Sequence, residues 1–360
     1  MMKKPARNGR IDLLRFAFCI GVILHHIELI LGADSPVRGY FTLGRQGYIG
    51  VEFFFLVSGW LLARKLASMD AKPHDLDTLG GETYRFLWTK LKPVVPYHLI
   101  FSASMLVLWG VLYPGSFGNI FLTRVPTLFF LHRIGITGAA PKDIMGIEWY
   151  VFSMVLCMAF LYPLGRRYKR TFRSLAPIVG LLICGYLMIE TGCLGNVDHI
   201  VGFTYKCNVR AMGDLFIGLG CYEVSCAIDS RCGARRWRIL LPVVEVLSFG
   251  LVWLYICGSL EQQYDMYALV LLAVGVSIAF SGRGFGAGAK VFASPVCAWL
   301  GRISLPVYLA QAPFLSFVPV FMKNAPKEQW LWVMLIGPVI VGALADLLVE
   351  GIRRRLKKNQ

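Results

Sequence analysis

The sequence predicts an all-α, polytopic membrane protein with about ten transmembrane helices. Hydrophobic residues make up 56% of the 360 residues, and the mean hydropathy is +0.60. Charged residues make up only 16%, whereas soluble domains average about 25%. The apolar residues form blocks of about 20, the length of helix that spans a bilayer. These observations exclude a disordered chain and a soluble enzyme.

Ten apolar blocks are long enough to cross the membrane. Their ranges are 11–31, 47–67, 93–113, 147–165, 174–190, 208–226, 239–258, 265–282, 300–322 and 329–350. A weaker stretch, 117–131, contains an arginine and a proline, and we predict a re-entrant or interfacial segment there. The segments between spans are too short for a second domain, so we expect residues 1–360 to form one membrane-embedded domain.

The distribution of charge predicts the orientation of the chain. The sequence has 37 basic and 21 acidic residues, a net charge of +16. Alternate inter-span segments carry about 26 and about 9 Lys and Arg residues. Because basic residues concentrate in cytoplasmic segments, we expect both termini in the cytoplasm and a multi-pass protein of the cell membrane. No nucleic-acid motif accompanies the basic residues, so the bilayer is the expected partner and nucleic acid is not.

The ten cysteines form no CxxC pair, and most lie within apolar blocks as small hydrophobic residues. This pattern does not support a zinc or redox site, so we expect no metal. Cys193 and Cys207 both fall in the outer segment between the fifth and sixth predicted spans. Oxidising conditions there allow a disulfide, with packed free thiols as the alternative.

The first span carries ionisable residues, which lipid disfavours and which therefore indicate function. Arg15 and His26 are eleven residues apart, so they share one helix face, about 16 Å apart along the axis. Arg15 is then near the cytoplasmic surface and His26 near the outer surface. His25 points about 100° away from His26. The alternatives are that Arg15 extends to the headgroups and that His26 lies in the interface without a chemical role.

Glu52 lies in the second span at the predicted depth of His26. A carboxylate that accepts a hydrogen bond from an imidazole fixes its tautomer and stabilises its protonated form. We therefore predict that Glu52 orients His26. The alternative is a structural ion pair of Glu52 with Arg45 or Arg38.

Arg85, Lys90 and Lys92 cluster where the third span leaves the cytoplasm. Such a cluster suits an anionic ligand that carries phosphates, although lysine binds as a point charge rather than as a bidentate fork. The alternative is the ordinary cytoplasmic belt of positive charge, which composition alone favours.

The motifs of the first two spans resemble those of acyltransferase family 3, a family of membrane acyltransferases. Arg15, followed by ten residues and His26, is similar to the family's Arg-x10-His motif. The segment Gly50–Leu62 is similar to its second-helix signature, with Glu52 at the acidic position. The resemblance extends over nearly the whole chain, because the length and the predicted topology also fit.

A third motif lies late in the chain. The segment Leu300–Leu309 resembles a family segment in which Ser304 and Tyr308 recur. The histidine that often follows this motif in the family is Gln311 here. The family's donor-binding Arg-x-Arg is replaced by Lys90 and Lys92, which keep the charge but lose the bidentate geometry.

The resemblance implies transfer of an acyl group, usually acetyl, from cytoplasmic acyl-CoA to a hydroxyl of an extracytoplasmic glycan or lipid-linked sugar. Acetyl-CoA would be a co-substrate, and no permanently bound cofactor is implied. Arg15, Lys90 and Lys92 would bind the donor phosphates. His26 would take the acceptor proton or hold the acyl group, with Glu52 orienting it. The accessory residues are His25, Ser304 and Tyr308.

The residues also leave open a second function, a transporter in which His26 and Glu52 form a proton relay. Internal repeats are common in transporters. The sequence shows no convincing internal repeat, and this favours the acyltransferase.

Overall fold

The computed structural model describes residues 8–36, 41–69, 76–131, 133–135 and 143–358. These residues form eleven α-helices and one short β-hairpin. The helices are α1 (Gly9–Leu31), α2 (Gly50–Ala67), α3 (Leu76–Leu91), α4 (Val95–Leu112), α5 (Phe117–Arg124), α6 (Trp149–Thr191), α7 (Lys206–Arg231), α8 (Trp237–Cys257), α9 (Asp265–Phe280), α10 (Pro295–Phe321) and α11 (Lys327–Lys358). Strands β1 (Ile200–Val201) and β2 (Thr204–Tyr205) pair antiparallel. Short 3₁₀ turns are Gly32–Asp34, Gly47–Ile49, Pro114–Ser116, Val125–Phe129, Gln262–Tyr264 and Lys290–Ala293.

Eight helices in the described part of the chain are long and apolar enough to cross a membrane. The chain is therefore an all-α, multi-pass membrane protein, as the sequence predicts. Each of the ten predicted spans coincides with helical residues. Two of the predicted spans lie in α6, which counts once among the eight helices. Another coincides with α2, which is not among the eight and carries the charged residues Glu52, Arg64 and Lys65.

The long helix α6 is divided by a bend. The backbone of Lys169 leaves the helical region there, with φ 39° and ψ −108°. Both halves of α6 pack on α7: Ser153 donates to Asn208 at 2.8 Å, and the Cys184 thiol lies 3.7 Å from Asp214. The two predicted spans 147–165 and 174–190 are thus the two halves of one bent helix.

Two helix pairs that are distant in sequence pack in parallel, because their contacts advance in the same direction along both helices: His26 follows Cys19 as Gln311 follows Ser304, and Gly59 follows Glu52 as Gly218 follows Arg210. Cys19 on α1 donates from its thiol to the carbonyl of Ser304 on α10 at 3.2 Å. Gly59 on α2 packs against Gly218 on α7, where a Cβ on either glycine would lie 2.9 Å from the other residue's Cα. Only glycine permits this approach. These parallel contacts hold four of the helices at defined depths relative to one another.

The segment predicted to be re-entrant folds back along α4. After α5, the carbonyl of Leu128 accepts a hydrogen bond from His98 Nε2 at 3.1 Å, and the Phe130 ring lies 4.3 Å from the His98 ring. His98 lies fourteen residues before Leu112, the end of α4, which is about 21 Å of helix. The chain therefore returns along most of the length of α4.

The helix α3 occupies part of the segment 68–92, where the sequence predicts no span. Its Leu79 and Phe86 are buried, and Glu82 accepts hydrogen bonds from Tyr162 and Arg166 on α6. Partial burial raises the pKa of Glu82, but these bonds outweigh burial and the pKa is lowered overall. The ion pair fixes α3 against α6.

Cys193 and Cys207 are free thiols in the structure, so the disulfide that the sequence allows between them is not formed. Lys206 Nζ donates to the carbonyl of Cys193 at 2.8 Å and lies 3.6 Å from its sulfur. The Cys207 thiol instead faces Asn208. Both sulfurs are packed near the start of α7, which agrees with the alternative of packed free thiols. The terminal residues 1–7 and 359–360 lie outside the described residues.

Candidate active site

An elongated cavity of ≈ 230 Å³ lies among α1, α2, α3, α6 and α10. Four residues selected from the sequence line it: Arg15, Lys90, Ser304 and Tyr308. The structure therefore brings together residues that are up to 293 positions apart in the chain. Most of the remaining lining is apolar, contributed by Val51, Phe54, Leu61, Val94, Val151, Met154, Met158 and Leu305.

The shape of the cavity follows from the helix faces that line it. The lining residues of α2 are Val51, Phe54, Ser58 and Leu61, which repeat at three and four positions and so share one face. Val51 and Leu61 are ten positions apart, or about 15 Å along the helix axis. The cavity is therefore a channel directed along the helices, with room for an extended chain.

One end of the channel carries two cations. Arg15 is half-buried, and its buried Nε has no hydrogen-bond partner among the described residues. Lys90 is also half-buried, with Nζ 5.3 Å from the centre of the Phe86 ring. Burial, with the positive charges of Arg15 and Lys65, lowers the pKa of Lys90. Two like charges in a partly desolvated site favour an anionic ligand between them.

The structure separates the two lysines that the sequence groups together. Lys92 is exposed, and among the described residues it is not part of the channel lining. Lys90 lies in the last turn of α3, whereas Lys92 follows the end of that helix. The two residues are at i and i+2, so their side chains leave the backbone in different directions.

His26 is held by Gln311, which the sequence shows only as a residue that replaces the family's frequent histidine. Its Nδ1 lies 2.9 Å from Gln311 Oε1, and Gln311 Nε2 donates to the carbonyl of Tyr308 at 2.8 Å. Because that carbonyl can only accept, it fixes the amide with its oxygen towards His26. Nδ1 must then carry the proton, and Nε2 keeps its lone pair. This nitrogen is available as a base or a nucleophile.

Tyr308 joins the imidazole to the channel. Its backbone carbonyl holds Gln311, its ring lines the channel, and its hydroxyl donates to the carbonyl of Ile147 at 2.6 Å. His26 itself is not among the lining residues of the described cavity. It lies beside the channel, connected to it through one glutamine and one tyrosine.

His25 has a different position. Its Nδ1 donates to the carbonyl of Arg45 at 2.9 Å, and its ring lies 5.3 Å from the ring of Tyr48. The rings of His25 and His26 are 5.5 Å apart. His25 therefore fastens the loop before α2 to α1, and Gly47 permits this contact because a Cβ there would lie 2.8 Å from the Cβ of His25.

Glu52 does not pair with His26, and the predicted contact between them is wrong. Both oxygens of Glu52 accept from Arg210 on α7, from Nε at 2.8 Å and from Nη2 at 2.6 Å, and both side chains are fully buried. The alternative pairing with Arg45 is not formed either, and Arg38 lies outside the described residues. The close approach of α2 and α7 brings Arg210 to Glu52, while Gln311 accepts the hydrogen bond from Nδ1 of His26.

The ion pair is joined to the loop that holds His25. Arg210 Nη2 also donates to the carbonyl of Tyr48 at 2.8 Å. The Tyr48 hydroxyl donates to Asp265 on α9 at 2.8 Å, and Tyr255 donates to the same carboxylate at 2.6 Å. Glu52 is thus connected to His25 through Arg210 and the ring of Tyr48.

Comparison with known proteins decides the family. Residues 8–347 match a family model described as an acyltransferase domain. The chain belongs to acyltransferase family 3. No solved structure matches it.

Two relatives of this family member have names that describe O-acetyl transfer. A protein of Staphylococcus aureus strain MSSA476, whose name assigns it provisionally to the O-acetyltransferases, is 20% identical over 393 residues. The peptidoglycan O-acetyltransferase of Listeria monocytogenes is 20% identical over 387 residues. Each alignment covers 99% of this chain and 58% of the relative. The chain thus spans less than two thirds of the length of these curated relatives.

The structure brings some of the predicted site residues together in the channel and leaves others outside it. Arg15, Lys90, Ser304 and Tyr308 share the channel, whereas Lys92 is outside it. Within the described residues, no cluster of three His, Cys, Asp or Glu side chains could hold a metal ion. The sequence does not predict the role of Arg210, which lies two residues inside the predicted span 208–226.

Proposed function

We propose that this acyltransferase moves an acetyl group from cytoplasmic acetyl-CoA to a hydroxyl of an extracytoplasmic glycan or lipid-linked sugar. Membership of the family supports acyl transfer, and the names of the two relatives support an acetyl group and a glycan acceptor. The observation that carries the proposal is the channel with two cations at one end and the Tyr308–Gln311–His26 chain beside it. Acetyl-CoA is a co-substrate: its acetyl group is transferred, and the CoA that results leaves after each turnover.

The proposed topology has ten crossings, both termini in the cytoplasm and one domain over residues 1–360, in the cell membrane. The parallel packing of α1 with α10, and of α2 with α7, supports it. The first and ninth spans, and the second and sixth, must run in the same direction if ten spans alternate. Arg15 then faces the cytoplasm, where acetyl-CoA is found.

In the proposed reaction, the phosphates of acetyl-CoA bind Arg15 and Lys90, and the extended arm of the donor follows the channel. His26 Nε2 removes the proton of the acceptor hydroxyl as its oxygen attacks the thioester carbon. The C–S bond breaks, and the sulfur of CoA recovers that proton from His26. Alternatively, Nε2 itself attacks the thioester carbon, and the C–S bond breaks to release the CoA thiolate. The acceptor oxygen then attacks the acetyl carbon, the C–N bond to Nε2 breaks, and the hydroxyl proton passes to the thiolate. Because Nδ1 is held by Gln311, both routes use the same nitrogen.

Acetyl transfer is tested directly with membranes that contain the full chain. We expect radiolabel from acetyl-CoA to enter a base-labile ester of the glycan fraction, and membranes without the protein to show none. If labelled acetyl-CoA yields free CoA and no ester with any envelope fraction, the proposed function is wrong. Proton-coupled transport without CoA release would instead support the transporter.

The separate positions of Lys90 and Lys92 predict different effects on donor binding. Lys90→Ala should raise the KM for acetyl-CoA at least about tenfold, since a charged hydrogen bond contributes about 1.5–3 kcal/mol. Lys92→Ala is the matched control and should leave KM unchanged. The measurement is initial rate against acetyl-CoA concentration in correctly inserted protein. An equal rise in KM for both variants would show that regional charge, and not the channel, binds the donor.

Lys90 also predicts a pH dependence of donor binding. Its pKa is lowered by burial and by the charges of Arg15 and Lys65, so it loses its proton at a lower pH than an ordinary lysine. Lysine is cationic below its pKa, and the KM for acetyl-CoA should therefore rise as the pH increases through that value. In Lys90→Arg this rise should disappear, because the guanidinium keeps its charge. A rise that persists in Lys90→Arg would assign it to another group.

Gln311 is predicted to act through His26. Gln311→Leu removes the acceptor that holds the Nδ1 proton, and we expect kcat to fall about tenfold with little change in KM. Gln311→His, which restores the residue common in the family, should retain most of the rate because its ring can also accept. Thermal unfolding in detergent checks that both variants fold. An unchanged kcat in folded Gln311→Leu would contradict the role of this residue.

A further inference from the structure

A second and larger cavity lies away from the channel. It has a volume of ≈ 780 Å³ and lies between the second half of α6, α7 and α9, with one contribution from α8. The α7 helix forms its floor: a Cβ on Gly220 would lie 2.6 Å from Pro177 of α6, and the Cys221 thiol donates to the carbonyl of Ala273 on α9 at 3.5 Å. We call this cavity the α6–α9 slot.

The length of the slot matches one leaflet of a bilayer. Its lining on α6 runs from Arg170 to Leu181, which are eleven positions or about 16 Å of helix axis apart. The hydrocarbon core of a bilayer is about 30 Å thick, so the slot extends to about its middle. The slot is open to the side, since Leu181, Val270 and Val274 in its lining are 37–46% exposed.

The two ends of the slot differ in chemistry. The inner end, at the start of the second half of α6, carries Arg170, Arg173 and Ser174. Arg173 pairs with Glu223 at 3.4 Å, so the two arginines and one carboxylate leave one excess positive charge. The deeper lining is apolar, as at Leu181 and Leu269. A ligand that fits has an anionic head and a hydrocarbon chain about as long as one leaflet.

We propose that the α6–α9 slot binds one anionic phospholipid of the inner leaflet. Its phosphate lies at Arg170 and Arg173, and one acyl chain fills the apolar part of the slot. Basic pockets between transmembrane helices on the cytoplasmic side suit anionic headgroups, and each basic residue contributes about 1 kcal/mol. The acyl chain adds the free energy of burying its methylene groups. The assignment to the inner leaflet follows the proposed topology, whereas the binding itself does not depend on the reaction.

Native mass spectrometry of the full chain in detergent tests this site. We expect one phosphatidylglycerol to bind per protein, and phosphatidylcholine with the same acyl chains to bind several-fold more weakly. The double variant Arg170→Gln, Arg173→Gln should weaken phosphatidylglycerol binding about 25-fold, from about fivefold per arginine. Arg167→Gln is the matched control: Arg167 is exposed and is not among the lining residues of the described slot.

A second variant tests the apolar part separately. Ala273→Phe fills the slot and should reduce the binding of both lipids, whereas Val246→Phe, at a half-exposed position of α8 outside the slot, should not. Equal binding of the two lipids, or undiminished binding in the arginine double variant, would overturn the proposal. So would displacement of the lipid by millimolar inorganic phosphate, which would indicate a simple phosphate site. Occupation of the slot by a second copy of the chain, seen as a dimer that Ala273→Phe dissociates, would also overturn it.

Discussion

Replacement of His26 by alanine is expected to lower the rate of acetyl transfer by 10²–10⁴-fold. Loss of a general base typically costs this much, and loss of a covalent nucleophile can cost more. The structure gives the reason: Gln311 binds Nδ1 of His26, so Nε2 is the nitrogen left for the chemistry. Alanine removes both nitrogens. The assay is transfer from labelled acetyl-CoA in membranes with matched amounts of inserted protein.

The neighbouring histidine is the control for this prediction. His25→Ala removes a hydrogen bond to the carbonyl of Arg45, which holds a loop and not the channel. We expect transfer to fall by about tenfold or less, in proportion to one lost hydrogen bond. If His25→Ala abolishes transfer and His26→Ala does not, the assignment of the reactive face of α1 is wrong.

The second large effect is expected on stability. Glu52→Gln leaves Arg210 buried without its carboxylate, and breaking one partner of a buried ion pair costs about 3–5 kcal/mol. The sequence alone predicts that this substitution keeps the shape of the protein and slows only turnover. The bidentate pair, with both residues fully buried, predicts instead a clear decrease in the unfolding temperature. The unfolding temperature is measured in detergent by monitoring the loss of soluble monomer on heating.

A double variant separates structure from chemistry at this pair. Glu52→Gln combined with Arg210→Gln removes both charges, so the stability should recover relative to either single variant. If Glu52 only positions His25 through Arg210 and Tyr48, the double variant should also recover part of the transfer rate. Stability without transfer would show that the carboxylate takes part in the reaction. A wild-type unfolding temperature for Glu52→Gln would contradict the structural role of the pair.

The sequence by itself determines the membrane class, the positions of the long apolar helices and the shared face of Arg15 and His26. These properties are local. A block of about 20 apolar residues forms a spanning helix whatever surrounds it, because lipid leaves no other way to satisfy the backbone. The helical repeat then sets which residues of α1 share a face. The same reasoning places Ser304 and Tyr308 on one helix but cannot say what they face.

The partners of the polar residues were decided only by the tertiary structure. The sequence assigns Glu52 to His26 from their similar depth, yet Glu52 pairs with Arg210 and His26 with Gln311. Depth fixes the position of a residue along the membrane normal but not around the helix bundle. The neighbours depend on which helices pack together, and that depends on contacts such as Gly59 with Gly218, between residues 159 positions apart. The distinction between Lys90 in the channel and Lys92 outside it has the same origin, because the packing of α3 against α6 sets which of the two side chains turns inward.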